Sequence, residues 1–232
     1  MDRWLSDRPH RQPRSGLYLH DGRCTFFGAA HGLGEGTAMN HEIDDTDVIE
    51  SGNLSVVVVV MGVAGCGKSS VASAIANRLD GNLIEGDRFH PKENIQKMRD
   101  GISLTDADRV AWLASLNKML RRAVAAGRLP IQACSALKQH YRDVLENGIS
   151  SFTTVFLQLP QSVAEARVSS RTDHYMPASL VTSQFTDLEP PQAGRNVIYI
   201  DATLPLREVL TQLDSWWRMR QRNCCQAEIF QQ

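Results

Sequence analysis

Five consecutive valines, Val56 to Val60, run through Met61 into the stretch "GVAGCGKSS" at residues 62–70. An unbroken apolar run of this length followed by glycine reads as a strand buried on both faces of a parallel sheet. Gly62, Gly67, Lys68 and Ser69 then fit the spacing G-x-x-x-x-G-K-[ST]. Glycines let the backbone turn tightly with its N–H groups aimed inward at phosphate oxygens. The helix that follows adds its positive N-terminal end. Residues 68–79, "KSSVASAIANRL", supply that helix, with Val71, Ile75 and Leu79 on one stripe. The candidate ATP contacts are therefore Gly62, Val63, Ala64, Gly65, Cys66, Gly67, Lys68, Ser69 and Ser70. Lys68 is expected to reach the β and γ phosphates, and the Ser69 hydroxyl to ligate Mg2+. Cys66 reads as a small space-filling thiol where the backbone is tight.

Strand and helix alternate from there onward. "GNLIEGD" holds a short second strand, and helices are expected over 91–99 and 106–126. "LPIQAC" at 129–134 occupies the place of the third strand, followed by a helix over 136–147. "SFTTVFLQL" is a strong strand, 161–170 a helix, "NVIYID" at 196–201 the last strand, and 205–220 the closing helix. This is an α/β chain with a five-stranded parallel sheet covered by helices on both faces. Pro130 lacks a backbone donor and Gln132 is polar, so both would weaken a central strand unless Pro130 is its first residue.

Length and charge restrict the partners. The chain has 232 residues, enough for one domain and an appendage, and a formal net charge of -1, which argues against nucleic acid. No run approaches the roughly 20 apolar residues of a membrane span. Five cysteines, an odd number without C-x-x-C spacing, fit free thiols in a reducing compartment, and a cytoplasmic location is expected. Residues 1–50, rich in Gly, His, Asp and Arg, are expected to be a disordered or loosely attached extension. A presequence or an upstream start codon are the alternatives, so organellar targeting stays open. The domain is expected over 54–220, with a tail over 221–232.

The phosphate loop alone leaves the acceptor open. The D-x-x-G and N-K-x-D motifs of switch GTPases are absent. "TTVFLQL" lacks the terminal Asp that motor and transporter ATPases carry. Acids appear instead at the end of the second strand, Glu85 and Asp87 in "LIEGDRFH", where an open parallel sheet binds ligands. One acid can hold Mg2+ or its water, and the other can accept the proton of an attacking hydroxyl. Arg167 and Arg171 sit where a lid could bring cations to the transferring phosphoryl, although a solvated helix face is the competing reading.

Four blocks then occur in order: the phosphate loop, "EGDRFHPKENIQKMRDGISLTDADRVAWL" (85–113), "ACSALKQHYRDVL" (133–145) and "RTDHYMPASLVTSQFTDLEPP" (171–191). Over about residues 55–217 the chain resembles the gluconokinase family of shikimate-kinase-like P-loop kinases. The resemblance implies phosphorylation of D-gluconate at its 6-hydroxyl by ATP and Mg2+. It also implies a helical substrate-side insertion over His90–Leu113, a lid near 171–177, and a homodimer as a family-level expectation. Within it, Asp87 is expected nearest the 6-hydroxyl, Glu85 on the metal side, and Lys68, Asp87 and Arg171 in catalysis. Arg109 suits a bidentate contact to the substrate carboxylate, with Lys138 and Arg142 as second candidates. His90, Asn94 and His174 are the candidates for the hydroxyls. Another small-molecule kinase of this fold, of shikimate or nucleotide type, is the alternative, and a nucleotide-binding regulatory protein without turnover is a third reading.

Overall fold

The computed structural model describes residues 18–20, 23–25, 57–170 and 179–229. The chain divides into two units, Met1–Leu54 and Ser55–Gln232. In the first, β1 (Tyr18–His20) and β2 (Arg23–Thr25) pair as an antiparallel hairpin. The extension expected to be disordered thus contains one hairpin, and the rest of residues 1–50 lies outside the described residues.

The second unit is built on five parallel strands in the order β4-β5-β3-β6-β7. These are β3 (Val57–Met61), β4 (Asn82–Glu85), β5 (Pro130–Ala133), β6 (Phe152–Gln158) and β7 (Val197–Asp201). The valine run is the middle strand, hydrogen-bonded to β5 on one side and β6 on the other, with every residue of β3 at most 1% exposed. That position explains why it is apolar without alternation. Val57, Val59 and Met61 join one core cluster with Trp112, Leu116, Tyr141 and Leu145 from α3 (Asp106–Ala125) and α4 (Gln139–Glu146). On the opposite face lie α1 (Lys68–Arg78) and α7 (Leu206–Ile229), tied by an Arg78–Asp214 ion pair at 2.6 Å.

The insertion that carries the acceptor side is α2 (Lys92–Arg99) and the start of α3. A capping box opens α3: the Asp108 N–H donates to Thr105 Oγ1, and Asp108 Oδ2 accepts from the Thr105 N–H. Lys97 of α2 pairs with the same carboxylate at 2.7 Å. The Lys97 ammonium, then the Thr105 donors, hold the Asp108 carboxyl down at about 2. Three elements depart from expectation. α4 starts at Gln139, three residues late, because Ala136 takes a left-handed φ of 44° that no helix interior accepts. α7 runs to Ile229, since neither Gly nor Pro follows Pro205 to stop it. Helix α5 spans Gln161–Ser169, and α6 (Ser179–Asp187) was not expected at all. Its Ser, Thr, Val and Phe residues have weak helical propensity, and burial of Leu180 against Met98 and Leu104 holds it instead.

Pro130 is the first residue of β5, where its missing N–H is harmless. Gln132 is the costly residue of that strand. It is fully buried, level with Val59 and Ile84, and neither end of its carboxamide has a hydrogen-bond partner. Orphaned buried polar groups of this kind cost about 1–3 kcal/mol. The near-isosteric Gln132→Met should therefore raise the melting temperature by roughly 3–8 °C, given about 2–4 °C per kcal/mol for a domain of this size. Differential scanning calorimetry of the two proteins checks this, and an unchanged or lower midpoint contradicts it.

Candidate active site

The phosphate loop begins where β3 ends. Gly65 has φ 83° and lies so close to α5 that a Cβ there would stand 2.8 Å from the Ala164 carbonyl oxygen, so only glycine fits. Lys68 curls back over the loop and donates from Nζ to the Val63 carbonyl at 2.9 Å. The Ala64 N–H donates to Gln184 Oε1 at 2.7 Å. Arg167 approaches the loop from α5 but is anchored by a 2.9 Å bond from Nη1 to the Ala202 carbonyl, with the Gly65 carbonyl at 3.4 Å. Ser69 Oγ donates to Glu85 Oε2 at 3.0 Å, joining the loop to the end of β4. A hydroxyl and a carboxylate are hard oxygen donors of the kind that suit Mg2+, whose remaining ligands are commonly waters and substrate phosphates. Among the described residues there is no group of three or more His, Cys, Asp or Glu able to hold a metal. Ser69 and Glu85 together offer two such oxygen donors at the mouth of the loop.

On the acceptor side, β4 leads into a 3-10 turn, Gly86–Phe89, that exposes Asp87 to the cleft. The turn packs hard against β5: a Cβ on Gly86 would stand 2.6 Å from the Ala133 carbonyl oxygen. Trp112 Nε1 donates to the Gly86 carbonyl at 2.9 Å and fixes the turn from α3. The His90 imidazole stacks on the Trp112 ring, centroids 4.1 Å apart and 16° from parallel. Burial, opposed by the Asp87 charge and aided by Arg109, brings the His90 pKa down to about 4. The ring is therefore neutral near pH 7, and its Nδ1 has no partner.

This shift has a sign. The unfolded chain binds the His90 proton below about pH 6.5 and the folded chain only below about 4, so stability falls on acidification through that window. The loss from this residue is about 2 kcal/mol at pH 5 relative to pH 7.5. In urea titrations at the two pH values, His90→Gln should shrink the pH difference by about that amount, and an equal difference in both proteins contradicts it.

Arg109 rises from the first turn of α3 into the same cleft. It is 7% exposed, its Nε lacks a hydrogen-bond partner, and its guanidinium lies 5.5 Å from the Tyr141 ring centroid. Among the described residues no carboxylate lies within ion-pair distance of it. A cation this buried is costly unless something anionic joins it.

The cleft brings together Ala64, Gly65, Gly67, Lys68, Ser69 and Ser70 of the loop with Asp87, His90 and Arg109. Gly62, Val63 and Cys66 form the buried floor of the loop, and burial pushes the Cys66 thiol pKa up, in keeping with a space-filling role. Three expected substrate contacts do other work. Asn94 is 4% exposed and donates from Nδ2 to the Asp108 carbonyl at 2.7 Å, pinning α2 to α3. Arg142 is buried and donates from Nη1 to the Ala136 and Leu137 carbonyls and from Nη2 to Gln139 Oε1. It braces the left-handed turn at Ala136 and is not among the residues that line the cleft. Lys138 lies outside the cleft, in a shallow recess, paired with Asp106 at 2.7 Å and 3.7 Å from Asp187. Arg171 and His174 lie outside the described residues. Ser183 and Gln184 are among the lining residues that were not anticipated. Their only trace in the sequence is the "SQF" of the last block, which by itself says nothing about where they point.

Comparison with known proteins places the chain among P-loop kinases. The AAA_33 family model, described as an AAA domain, matches residues 57–191. A probable gluconokinase of Rattus norvegicus is 39% identical over 171 residues, covering 66% of this chain and 92% of the relative. The thermoresistant gluconokinase of Escherichia coli K12 is 37% identical over 155 residues, covering 66% and 89%. The crystal structure of a gluconokinase from Sinorhizobium meliloti 1021 superposes with a TM-score of 0.66 at 40% identity, covering 75% of this chain and 98% of that one.

Proposed function

Because this chain belongs to the gluconokinase family, a branch of the P-loop kinases, we propose that it transfers the γ-phosphoryl of ATP to the 6-hydroxyl of D-gluconate. The products are 6-phospho-D-gluconate and ADP. The observation that carries the acceptor assignment is Arg109, a buried guanidinium with no carboxylate at ion-pair distance among the described residues, in the same cleft as the phosphate loop. A sugar acid supplies the missing carboxylate in a planar, bidentate pair.

The loop amides and Lys68 hold the β and γ phosphates, with Lys68 exchanging the Val63 carbonyl for phosphate oxygens. Ser69 and Glu85 would hold a Mg2+ ion arriving with ATP, which would offset phosphate charge. Asp87 faces the acceptor hydroxyl and takes its proton as the new P–O bond forms and the bond to the β–γ bridging oxygen breaks. The electron pair of the broken bond leaves on ADP. Neutral His90 lines the cleft and offers its ring to a substrate hydroxyl without adding a second cation beside Arg109. Arg171 and His174 belong to the expected lid, and their part in closure rests on the family resemblance.

ADP release measured with gluconate, glucose, shikimate and nucleoside monophosphates tests the assignment. Gluconate should be turned over at least a hundredfold more efficiently than glucose, since an unmet buried charge costs several kcal/mol. Preference for shikimate or a nucleotide would overturn it.

A further inference from the structure

Gln184 reaches a main-chain group 120 positions away in sequence and inside the phosphate loop: its Oε1 accepts the Ala64 N–H at 2.7 Å. The helix that carries it, α6, touches both halves of the cleft. On the acceptor side, Ser103 Oγ donates to Ser183 Oγ at 2.9 Å, and Leu180 packs with Met98 and Leu104. Towards α5, Gln161 Nε2 donates to Thr182 Oγ1 at 3.1 Å, and Thr182 Oγ1 donates to Glu165 Oε1 at 3.3 Å. At its far end the chain is fixed again, where the Gln139 N–H donates to Glu189 Oε2 at 2.6 Å. The short helix is therefore a bar laid across the cleft, with neighbouring side chains on its two substrate sides.

We infer that Gln184 is a positioning residue that couples nucleotide occupancy of the phosphate loop to the acceptor-side turn at residues 98–105. Ala64 and Gln184 both line the cleft that the γ-phosphoryl must enter. Phosphate oxygens drawn to the loop act on the Ala64 amide and on the carboxamide oxygen beside it. Any shift of that oxygen moves Gln184 and its neighbour Ser183 together, because they are consecutive on one helix. Ser183 and Leu180 pass the shift to Ser103, Leu104 and Met98. The physical requirement is one element whose position both sites bias, and α6 meets it. Such coupling is reciprocal: nucleotide tightens the acceptor by the same factor as the acceptor tightens nucleotide. The acceptor half of the inference rests on the gluconate reading, and the link through α6 does not.

Hydrogen exchange followed by mass spectrometry, with and without a non-hydrolysable ATP analogue and Mg2+, separates the two. In the wild type, nucleotide should slow exchange in the loop and also in the segments 98–105 and 180–187. In Gln184→Leu, protection should remain in the loop and be lost from 98–105. Ser183→Ala, which keeps the Ala64 contact, should leave 180–187 protected and weaken protection at 98–105. Calorimetric titration of gluconate adds the functional readout: the analogue should tighten binding roughly 5–20-fold in the wild type and less than twofold in Gln184→Leu. Equal protection of 98–105 in wild type and Gln184→Leu overturns the inference, as does its absence in the wild type. Gluconate that fails to bind in any state would sink the acceptor assignment, with hydrogen exchange still deciding the link.

Discussion

Replacing Asp87 with Asn should lower kcat by roughly 10²–10⁴ while leaving the KM for ATP within about threefold of the wild type. The substitution keeps the size of the side chain and an oxygen able to accept the acceptor O–H, and removes only the capacity to take the proton away. Asp87 is held by a turn that Trp112 and β5 fix from behind, so the amide should occupy the same place. The ATP side is built from Lys68, the loop amides and Ser69; Lys68 bonds to the Val63 carbonyl and Ser69 to Glu85, not to Asp87. Steady-state kinetics over both substrates check the expectation. Turnover within threefold of the wild type would remove Asp87 from proton transfer. A loss near tenfold would leave it a positioning role, since phosphoryl transfer depends mostly on placement and charge.

The second large effect belongs to Arg109. Arg109→Met should raise the KM for gluconate roughly 10²–10³-fold, the loss of one desolvated, bidentate charge pair, with a smaller change in kcat. The same substitution should leave stability unchanged or raise it. It replaces a buried cation that has no ion-pair partner among the described residues by an apolar side chain that suits the buried surroundings of the Tyr141 ring. These two outcomes together separate ligand binding from architecture, because a structural arginine would lose stability when truncated. Kinetics and calorimetry on one preparation measure both. A falling melting temperature with an unchanged KM for gluconate would make Arg109 a structural residue.

How much of this was legible in the sequence depends on how far away each residue's partner lies. The valine run, the loop and α1 are contiguous, and local pattern determines them. Asp87 and His90 follow β4 directly, and Arg109 opens a strongly capped helix, so the motif blocks place all three near the loop. Asn94 and Arg142 read as polar residues free for a substrate because nothing in their type reveals which backbone carbonyl stands next to them. In the structure Asn94 pins α2 to α3 and Arg142 braces the turn at Ala136. Lys138 was drawn off by Asp106, thirty-two positions earlier, a partner that only the packing of α3 on α4 supplies. Gln184 was invisible for the converse reason: its Oε1 meets an amide 120 residues away, from a helix with no helical signature. Gln132 shows that a suspicion from sequence can be right in kind and sharpened in place, since the strand tolerates its proline and carries the penalty one step further on.

The central claim is transfer to the primary hydroxyl of gluconate, and the phosphorus NMR spectrum of the product, recorded with proton coupling, tests it most directly. A phosphoryl on C6 is bonded through oxygen to a carbon bearing two protons, so incubation with ATP, Mg2+ and gluconate should yield a phosphomonoester signal split into a triplet. A doublet would place the phosphoryl on a secondary hydroxyl, an unsplit signal would place it on the carboxylate, and the absence of any new phosphoester would contradict the account outright.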